Sequence, residues 1–193
     1  MSLPPRQLQV VYERIAARTA TTVSEQAEWP CRKGCDSCCR RLAGAPELTA
    51  AEWALLAAHV LELGDAERRA IDDGLADLAR ELAAGAPHVV CPLLDRDAGS
   101  CRVYSARPAA CRMYGFYVSR ADGLYCERVL ARVEQGLCDA VVWGNHDAIE
   151  GELERAFGPR RSLLAWVDGD VRFSSRGCET DETNQRDADK SAH

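Results

Sequence analysis

Four cysteines lie within nine residues of this chain, and they limit how that segment can fold. They are Cys31, Cys35, Cys38 and Cys39, and the chain of 193 residues contains ten cysteines in all. If the segment forms a helical turn, Cys31, Cys35 and Cys38 fall on one side, whereas the adjacent Cys39 points elsewhere. We therefore expect three thiols to converge, and Cys39 either to serve a second site or to support the first without ligating.

Cysteines at this density have three interpretations: disulfides, buried free thiols or metal ligands. Disulfides require an oxidising compartment, and the N-terminal sequence MSLPPRQLQVVYER lacks the apolar stretch of a signal peptide. We therefore expect a cytoplasmic protein with reduced thiols. Isolated cysteines pack as small hydrophobic residues, which suits Cys138 and Cys178. The clustered cysteines favour ligation of a metal ion or an iron–sulfur cluster.

Composition narrows the class of protein. Hydrophobic residues make up 47% of the chain, enough for a packed core, and no apolar run reaches the roughly 18 residues of a membrane-spanning helix. The net charge of -6 argues against nucleic-acid binding, which favours a basic surface. We expect no nucleic-acid or membrane partner, one domain over residues 1–173, and a disordered polar tail over 174–193.

Hydrophobic periodicity predicts a helix over residues 6–28, directly before the cysteine segment. Its apolar stripe comprises Leu8, Val11, Tyr12, Ile15 and Val23. A helical hairpin is predicted over residues 47–84, between the two groups of cysteines. Thr49 and Glu52 form a capping box at the start of its first helix, and Leu61 is expected to face inward.

The second half of the chain contains shorter and less regular elements. The sequence predicts a short strand at 101–104, a short helix that ends near Met113, a hairpin around 121–123 and a helix over 145–157. Residues 162–173 are predicted to form a strand or hairpin. The predicted fold class is therefore mainly α, with a small irregular or short-β platform that carries the later cysteines.

A second group of cysteines, at wider intervals, follows the helical hairpin. Nine residues separate Cys91 from Cys101 and Cys101 from Cys111, and Cys126 follows fifteen positions later. Such intervals are too long for one local loop, so these thiols converge only on a folded platform. The two groups together contain eight cysteines. Eight thiolates fit two four-ligand sites, or one cluster with additional thiols, and the count leaves both open.

Positive and aromatic residues accompany both groups of cysteines. The basic residues are Arg32, Lys33, Arg40, Arg41, Arg102, Arg107 and Arg112, and the aromatic residues are Tyr104, Tyr114, Phe116, Tyr117 and Tyr125. Cations near thiols favour the ligating thiolate form, and aromatic rings shield a bound cluster from water. The alternative is that the arginines are ordinary surface charge and the aromatic residues are the local core.

The two groups of cysteines match a known motif when they are read together. Residues 31–39 and the segment CPLLDRDAGSCRVYSARPAACRMYG at 91–115 resemble the YkgJ-like cysteine-cluster family, a zinc- or iron-chelating domain. The motif positions are occupied by Cys31, Cys35, Cys38, Cys39, Cys91, Pro92, Leu94, Cys101, Tyr104, Arg107, Pro108, Cys111 and Arg112, and Cys126 matches a later cysteine. The resemblance implies that the eight cysteines ligate metal and that Tyr104, Arg107 and Arg112 contact the bound group.

Three functions follow as expectations from these residues. The preferred one is a metal-binding protein with an iron–sulfur cluster, most simply [4Fe-4S], that acts in electron transfer or with an oxidoreductase and has a redox or protein partner. The second is a zinc protein whose metal holds the helices together while its surface binds a partner. The third is an enzyme with an open cluster iron held by Cys31, Cys35 and Cys38. Radical-SAM enzymes share that spacing, but this chain lacks the strand–helix repeats of their barrel.

Overall fold

The computed structural model describes residues 4–121, 123–124, 126–167 and 173, and helices dominate them. The eight α-helices in these residues are α1 (Arg6–Glu25), α2 (Ser37–Arg40), α3 (Ala50–Leu61), α4 (Asp65–Ala83), α5 (Ala109–Met113), α6 (Glu127–Glu134), α7 (His146–Phe157) and α8 (Leu163–Val167). One turn of 3-10 helix covers Tyr104–Ala106. The mainly α fold class is thus confirmed. Within the described residues, no helix is both long and apolar enough to cross a membrane.

The described residues also contain six strands of two residues each, which form three pairs. They are β1 (Glu47–Leu48), β2 (Leu94–Asp95), β3 (Ser100–Cys101), β4 (Tyr117–Val118), β5 (Gly144–Asn145) and β6 (Arg161–Ser162). The pairs β1–β6 and β2–β3 are antiparallel, and β4–β5 is parallel. The β2–β3 pair places Leu94 opposite Cys101, and this pairing fixes the position of Cys101.

Helix α1 ends three residues earlier than the sequence predicts. It stops at Glu25, and Glu28 adopts a left-handed conformation, with φ at 57°. The buried stripe continues from Ile15 to Thr22, because residues seven apart lie on the same face of a helix. The inward placement of Val23 is therefore wrong: its side chain is 49% exposed at the edge of the stripe.

Helices α3 and α4 are the two helices predicted over 47–84, joined through residues 62–64. The capping box at Thr49 and Glu52 is present as predicted. The prediction for Leu61 is wrong, because that side chain is 53% exposed. Leu56 and Val60, four residues apart, face the core, and Leu61 is turned about 100° away from Val60 around the helix.

The C-terminal part of the described chain differs most from the prediction. Only Arg161–Ser162 forms a strand, and helix α8 follows where a strand or hairpin was expected. The hydroxyl of Ser162 accepts a hydrogen bond from the amide of Ala165 at 3.1 Å, which caps the new helix. The predicted tail over 174–193, Cys178 and Tyr125 lie outside the described residues.

The core lies where α1, α5 and α7 pack against one another. Its largest fully buried side chains include Leu8, Ile15, Met113 and Leu153. The indole of Trp29, two residues before the first cysteine, packs 5.9 Å from the rings of both Phe116 and Trp143. Both cysteine segments are therefore attached to the core at their ends, which gives the loops between them fixed positions.

Candidate metal centre

The first cysteine segment is a turn followed by one short helix. The amide of Cys35 donates to the carbonyl of Arg32 at 3.0 Å, and α2 begins only at Ser37. Cys38 and Cys39 lie on α2, whereas Cys31 and Cys35 lie before it. The segment therefore forms less helix than the spacing predicts, and a turn carries its first two thiols.

Helix α6 brings Cys126 to this first segment. Cys126 is the buried residue that precedes α6, and its thiol interacts electrostatically with those of Cys31, Cys35 and Cys38. From the first turn of α6, Arg128 donates to the sulfur of Cys35 at 3.5 Å. We call these four cysteines, Cys31, Cys35, Cys38 and Cys126, the first thiol set.

Cys31 also contacts the residues that directly follow helix α5. Its thiol donates to the carbonyl of Tyr114 at 3.1 Å. A Cβ atom on Gly115, whose φ is +78°, would lie 3.3 Å from the Cys31 sulfur. Only glycine combines this conformation with such a close approach, so Gly115 admits the first thiol set against the end of α5.

The second thiol set, Cys39, Cys91, Cys101 and Cys111, lies on paired backbone. The amide of Cys91 donates to the carbonyl of Cys39 at 2.8 Å, next to a bridge between Leu42 and Val89. The β2–β3 pair then carries Cys101, and α5 carries Cys111. The thiol of Cys39 interacts with those of Cys38, Cys91 and Cys101. The thiol of Cys111 interacts with those of Cys39, Cys101 and Cys38.

The two sets are adjacent at the consecutive residues Cys38 and Cys39, whose sulfur atoms are 4.0 Å apart. None of the nine cysteines in the described residues forms a disulfide, so their donor chemistry suits a soft metal. In the same part of the chain, no group of three or more Cys, His, Asp or Glu side chains is already arranged to hold a metal ion. The thiols therefore lie near one another, but their sulfur atoms must move closer together to ligate a metal.

One cavity of about 590 Å³ borders both sets. Seven of the eight clustered cysteines line it: Cys31, Cys35, Cys38, Cys39, Cys91, Cys101 and Cys111. Helix α1 lines it with the apolar residues Ile15, Ala16 and Ala20, and α7 contributes His146 and Glu150. Thiols, apolar surface and titratable groups therefore border the same open cavity.

Tyr104, Arg107 and Arg112 line the cavity beside the cysteines. The guanidinium of Arg107 lies 3.5 Å from the ring centre of Tyr104, and that of Arg112 lies 4.0 Å from the ring centre of Tyr12. Arg112 also donates to the carbonyl of Arg107 at 2.7 Å, which fixes the turn before α5. That these three side chains contact a bound group stays a prediction.

The remaining basic residues near the cysteines divide into two kinds. Arg40, Arg41 and Arg102 form ion pairs with Asp36, Glu127 and Asp95, at 2.6, 3.1 and 3.0 Å respectively. For these three arginines the structure favours the alternative of ordinary surface charge. Arg32 lines the cavity with the cysteines, and the ammonium of Lys33 lies 5.3 Å from the ring centre of Tyr104.

Burial raises the pKa of most thiols in the two sets. It brings the pKa of Cys31 and Cys111 from 9.0 to about 12, with neighbouring thiols adding to the effect and Arg107 opposing it. The pKa of Cys35 is lowered instead, because its hydrogen bonds with Ser37 and Arg128 outweigh its partial burial. Metal binding must therefore displace protons from most of these sulfurs.

The metal-free protein is expected to lose stability as the pH rises from about 9 to about 12. Because the pKa of Cys31 and Cys111 is higher in the folded than in the unfolded state, the unfolded chain loses these protons first. Their contribution is fully present below pH 9 and is lost towards pH 12. Urea denaturation of the reduced apoprotein across this range measures the effect. A Cys31→Ser variant should show a shallower decline, and a flat or rising profile in the wild type would refute the assignment.

His146, Glu150 and Arg160 form a polar cluster in the cavity lining that the sequence patterns do not predict. Asn145 caps α7 by accepting a hydrogen bond from the amide of Ala148 at 3.0 Å. His146 is buried, with its Nε2 3.3 Å from Glu150 Oε1. Burial raises the pKa of Glu150 to about 7, although Arg160 opposes the shift. The i, i+4 spacing of His146 and Glu150 was the available signal.

Comparison with known proteins identifies one matching family model. That model, named CxxCxxCC and described as a "putative zinc- or iron-chelating domain", matches residues 30–135. The matched span contains all eight cysteines of the two thiol sets and leaves Cys138 outside. No curated protein and no solved structure matches the chain.

Proposed function

Because the chain belongs to the CxxCxxCC family of zinc- or iron-chelating domains, we propose that its clustered cysteines hold iron as an iron–sulfur cluster. The protein then works in electron transfer or beside an oxidoreductase, together with a redox partner. Its free thiols support a reducing, cytoplasmic setting. When bound, such a cluster supplies one-electron chemistry, with a potential set by charge, hydrogen bonds and solvent access.

The observation that carries the proposal is the convergence of seven thiols on one cavity. Thiolates select soft metals such as zinc, copper and iron–sulfur clusters over magnesium or calcium. The cavity of about 590 Å³ is much larger than one metal ion requires, and it has an apolar wall on α1. A polynuclear cluster makes use of that volume, whereas a single ion does not.

The positive charges at the cavity support the same proposal. Four thiolates around a metal centre carry excess negative charge, and Arg107 already opposes the burial effect at Cys31, Cys101 and Cys111. Stacking on the Tyr104 ring and the hydrogen bond that Arg107 Nε donates to the Tyr104 carbonyl at 3.1 Å hold this guanidinium beside the thiols. Arg107 thereby favours the thiolate form that ligation needs.

A structural zinc protein is the second candidate, and the division of the cysteines favours it. Each thiol set contains four cysteines, the number that a closed tetrahedral zinc site uses. Zinc would then hold α2, α5 and α6 to the β2–β3 pair, and the surface would bind a protein partner. This candidate needs no redox chemistry.

Anaerobic purification followed by visible absorbance separates the two candidates. Our proposal predicts a coloured protein whose broad thiolate-to-iron absorbance decreases on addition of dithionite and returns on reoxidation. A Cys138→Ser variant serves as the control, because Cys138 is buried outside both sets and should leave the spectrum unchanged. A colourless protein that contains stoichiometric zinc would overturn the iron proposal and support the zinc candidate.

A further inference from the structure

We infer that the cavity beside the cysteines binds a small organic carboxylate through Arg32, Arg107 and Arg112. The guanidinium groups hold the carboxylate, and the apolar body of the ligand lies against Ile15 and Ala16 of α1. This inference goes beyond the proposed metal-binding function, because the ligand is a separate molecule and none of its contacts is a cysteine.

The acidic side chains that line the cavity already have arginine partners. Among the described residues they are Asp36, Glu47 and Glu150. Asp36 accepts a hydrogen bond from Arg40 at 2.6 Å, and Glu150 pairs with Arg160. The guanidinium of Arg160 also lies 3.9 Å from Glu47. Any other guanidinium group in the lining therefore needs a different counter-anion.

Three such guanidinium groups line the same cavity. Within the described part of the chain, Arg32, Arg107 and Arg112 form no ion pair with a carboxylate. Glu52 accepts a hydrogen bond from the Tyr12 hydroxyl at 3.4 Å, but its oxygens already accept from two backbone amides. Guanidinium groups bind carboxylates through strong, charge-assisted hydrogen bonds, so these three arginines attract an anion from solution.

Arg107 and Arg112 are held in place by contacts that leave donors for a ligand. Arg107 Nε donates to the Tyr104 carbonyl at 3.1 Å, and the guanidinium stacks on the Tyr104 ring. Arg112 Nε donates to the Arg107 carbonyl at 2.7 Å. Within the described residues, both terminal amino groups of Arg107 make no hydrogen bond. Two N–H groups of one guanidinium match the two oxygens of a carboxylate.

The two arginines also repel each other. Burial lowers the pKa of Arg112, and the charge of Arg107 adds to this effect, although Tyr12 opposes it. A bound anion would relieve this repulsion, because it attracts both guanidinium groups.

The apolar part of the lining favours an organic anion over an inorganic one. Helix α1 contributes Ile15, Ala16 and Ala20 to the cavity. Contact with these side chains removes the apolar body of a ligand from water, whereas inorganic phosphate has no such body. The volume of about 590 Å³ is in the range of small-molecule sites. Because the metal centre also occupies part of this volume, the ligand is small.

Hexanoate is a suitable probe, because hexylamine and hexanol have the same apolar chain with a different charge. We would titrate each compound, and inorganic phosphate, into the anaerobically purified full-length protein by calorimetry. Hexanoate is expected to bind at least about tenfold more tightly than the other three. Hexanol or hexylamine binding as tightly as hexanoate would overturn the role of the arginines. Phosphate binding as tightly would overturn the role of the apolar wall.

Substitutions then test the arginines. Arg107→Gln should weaken hexanoate binding by about tenfold or more. Arg32→Gln should weaken it by about two- to fivefold, and because Arg32 is exposed this variant should keep the fold. Arg69→Gln, an exposed residue of α4 outside the lining, is the matched control and should leave the affinity unchanged. Unchanged affinity in both Arg107→Gln and Arg32→Gln would overturn the inference.

Metal content, measured on the same samples, separates this inference from the proposed function. Wild-type protein that contains metal but does not bind hexanoate would overturn the carboxylate site and leave the metal-binding proposal standing. Wild-type protein that binds hexanoate but contains no metal would support the carboxylate site and contradict the metal-binding proposal alone.

Discussion

Replacing Glu52 with alanine is expected to lower the free energy of unfolding by about 3–5 kcal/mol. The Glu52 side chain is 2% exposed and joins three helices. One carboxylate oxygen accepts hydrogen bonds from the amide and hydroxyl of Thr49, both at 2.9 Å. The other accepts from the Ala109 amide at 2.8 Å and from the Tyr12 hydroxyl at 3.4 Å. Alanine would leave two buried amide donors without a partner, each costing about 1–3 kcal/mol.

Urea denaturation of the metal-free protein measures this loss. Glu134→Ala, an exposed residue at the end of α6, is the matched control and should change stability by less than about 0.5 kcal/mol. Glu52→Gln should fall between the two, because it keeps one acceptor oxygen. Since the Ala109 amide begins α5, which carries Cys111, the alanine variant should also bind metal more weakly. A destabilisation below about 1 kcal/mol would contradict this role of Glu52.

Removal of the metal is expected to lower the melting temperature by about 8–16 °C. A ligand that binds only the folded state, at a thousand times its Kd, stabilises it by about 4 kcal/mol. The thiol sets join α2, α5, α6 and the β2–β3 pair, whose strands are only two residues long. These elements have few backbone hydrogen bonds of their own, so the bound metal contributes much of what holds them together.

Thermal unfolding with and without a chelator, under reducing and anaerobic conditions, tests this expectation. Cys138→Ser should show the full decrease, because its thiol belongs to neither set. A Cys38→Ser variant should show a smaller decrease, because Cys38 interacts with thiols of both sets. A wild-type protein whose melting temperature stays within about 2 °C after chelation would show that the metal does not stabilise the fold.

Local patterns in the sequence predict much of this fold. The capping box at Thr49 and Glu52 depends on residues three positions apart. Helix α7 begins directly after its cap, Asn145, the first residue of the helix predicted over 145–157. The exposed Val23 and Leu61 could not be predicted in the same way, because the edge of a buried stripe depends on what packs against it. Helix α8 escaped prediction for a similar reason: a five-residue apolar segment suits a strand or a helix equally.

In the candidate site, too, the sequence predicts local features but not contacts between distant segments. The cysteine spacing predicts which segments ligate metal, and it separates Cys39 from Cys31, Cys35 and Cys38. It does not show that α6 brings Cys126 to the first set, because that depends on a contact across more than 80 residues. The hydrogen bond from Ala109 at the start of α5 to Glu52 could not be predicted either, because the capping box already explains why a glutamate stands at this position.

Iron and acid-labile sulfide, counted per chain in anaerobically purified protein, test the central claim most directly. Our account predicts both elements in equal and stoichiometric amounts, with the wild-type content kept in Cys138→Ser and reduced in Cys38→Ser. Wild-type protein that contains neither iron nor sulfide after anaerobic purification would contradict it.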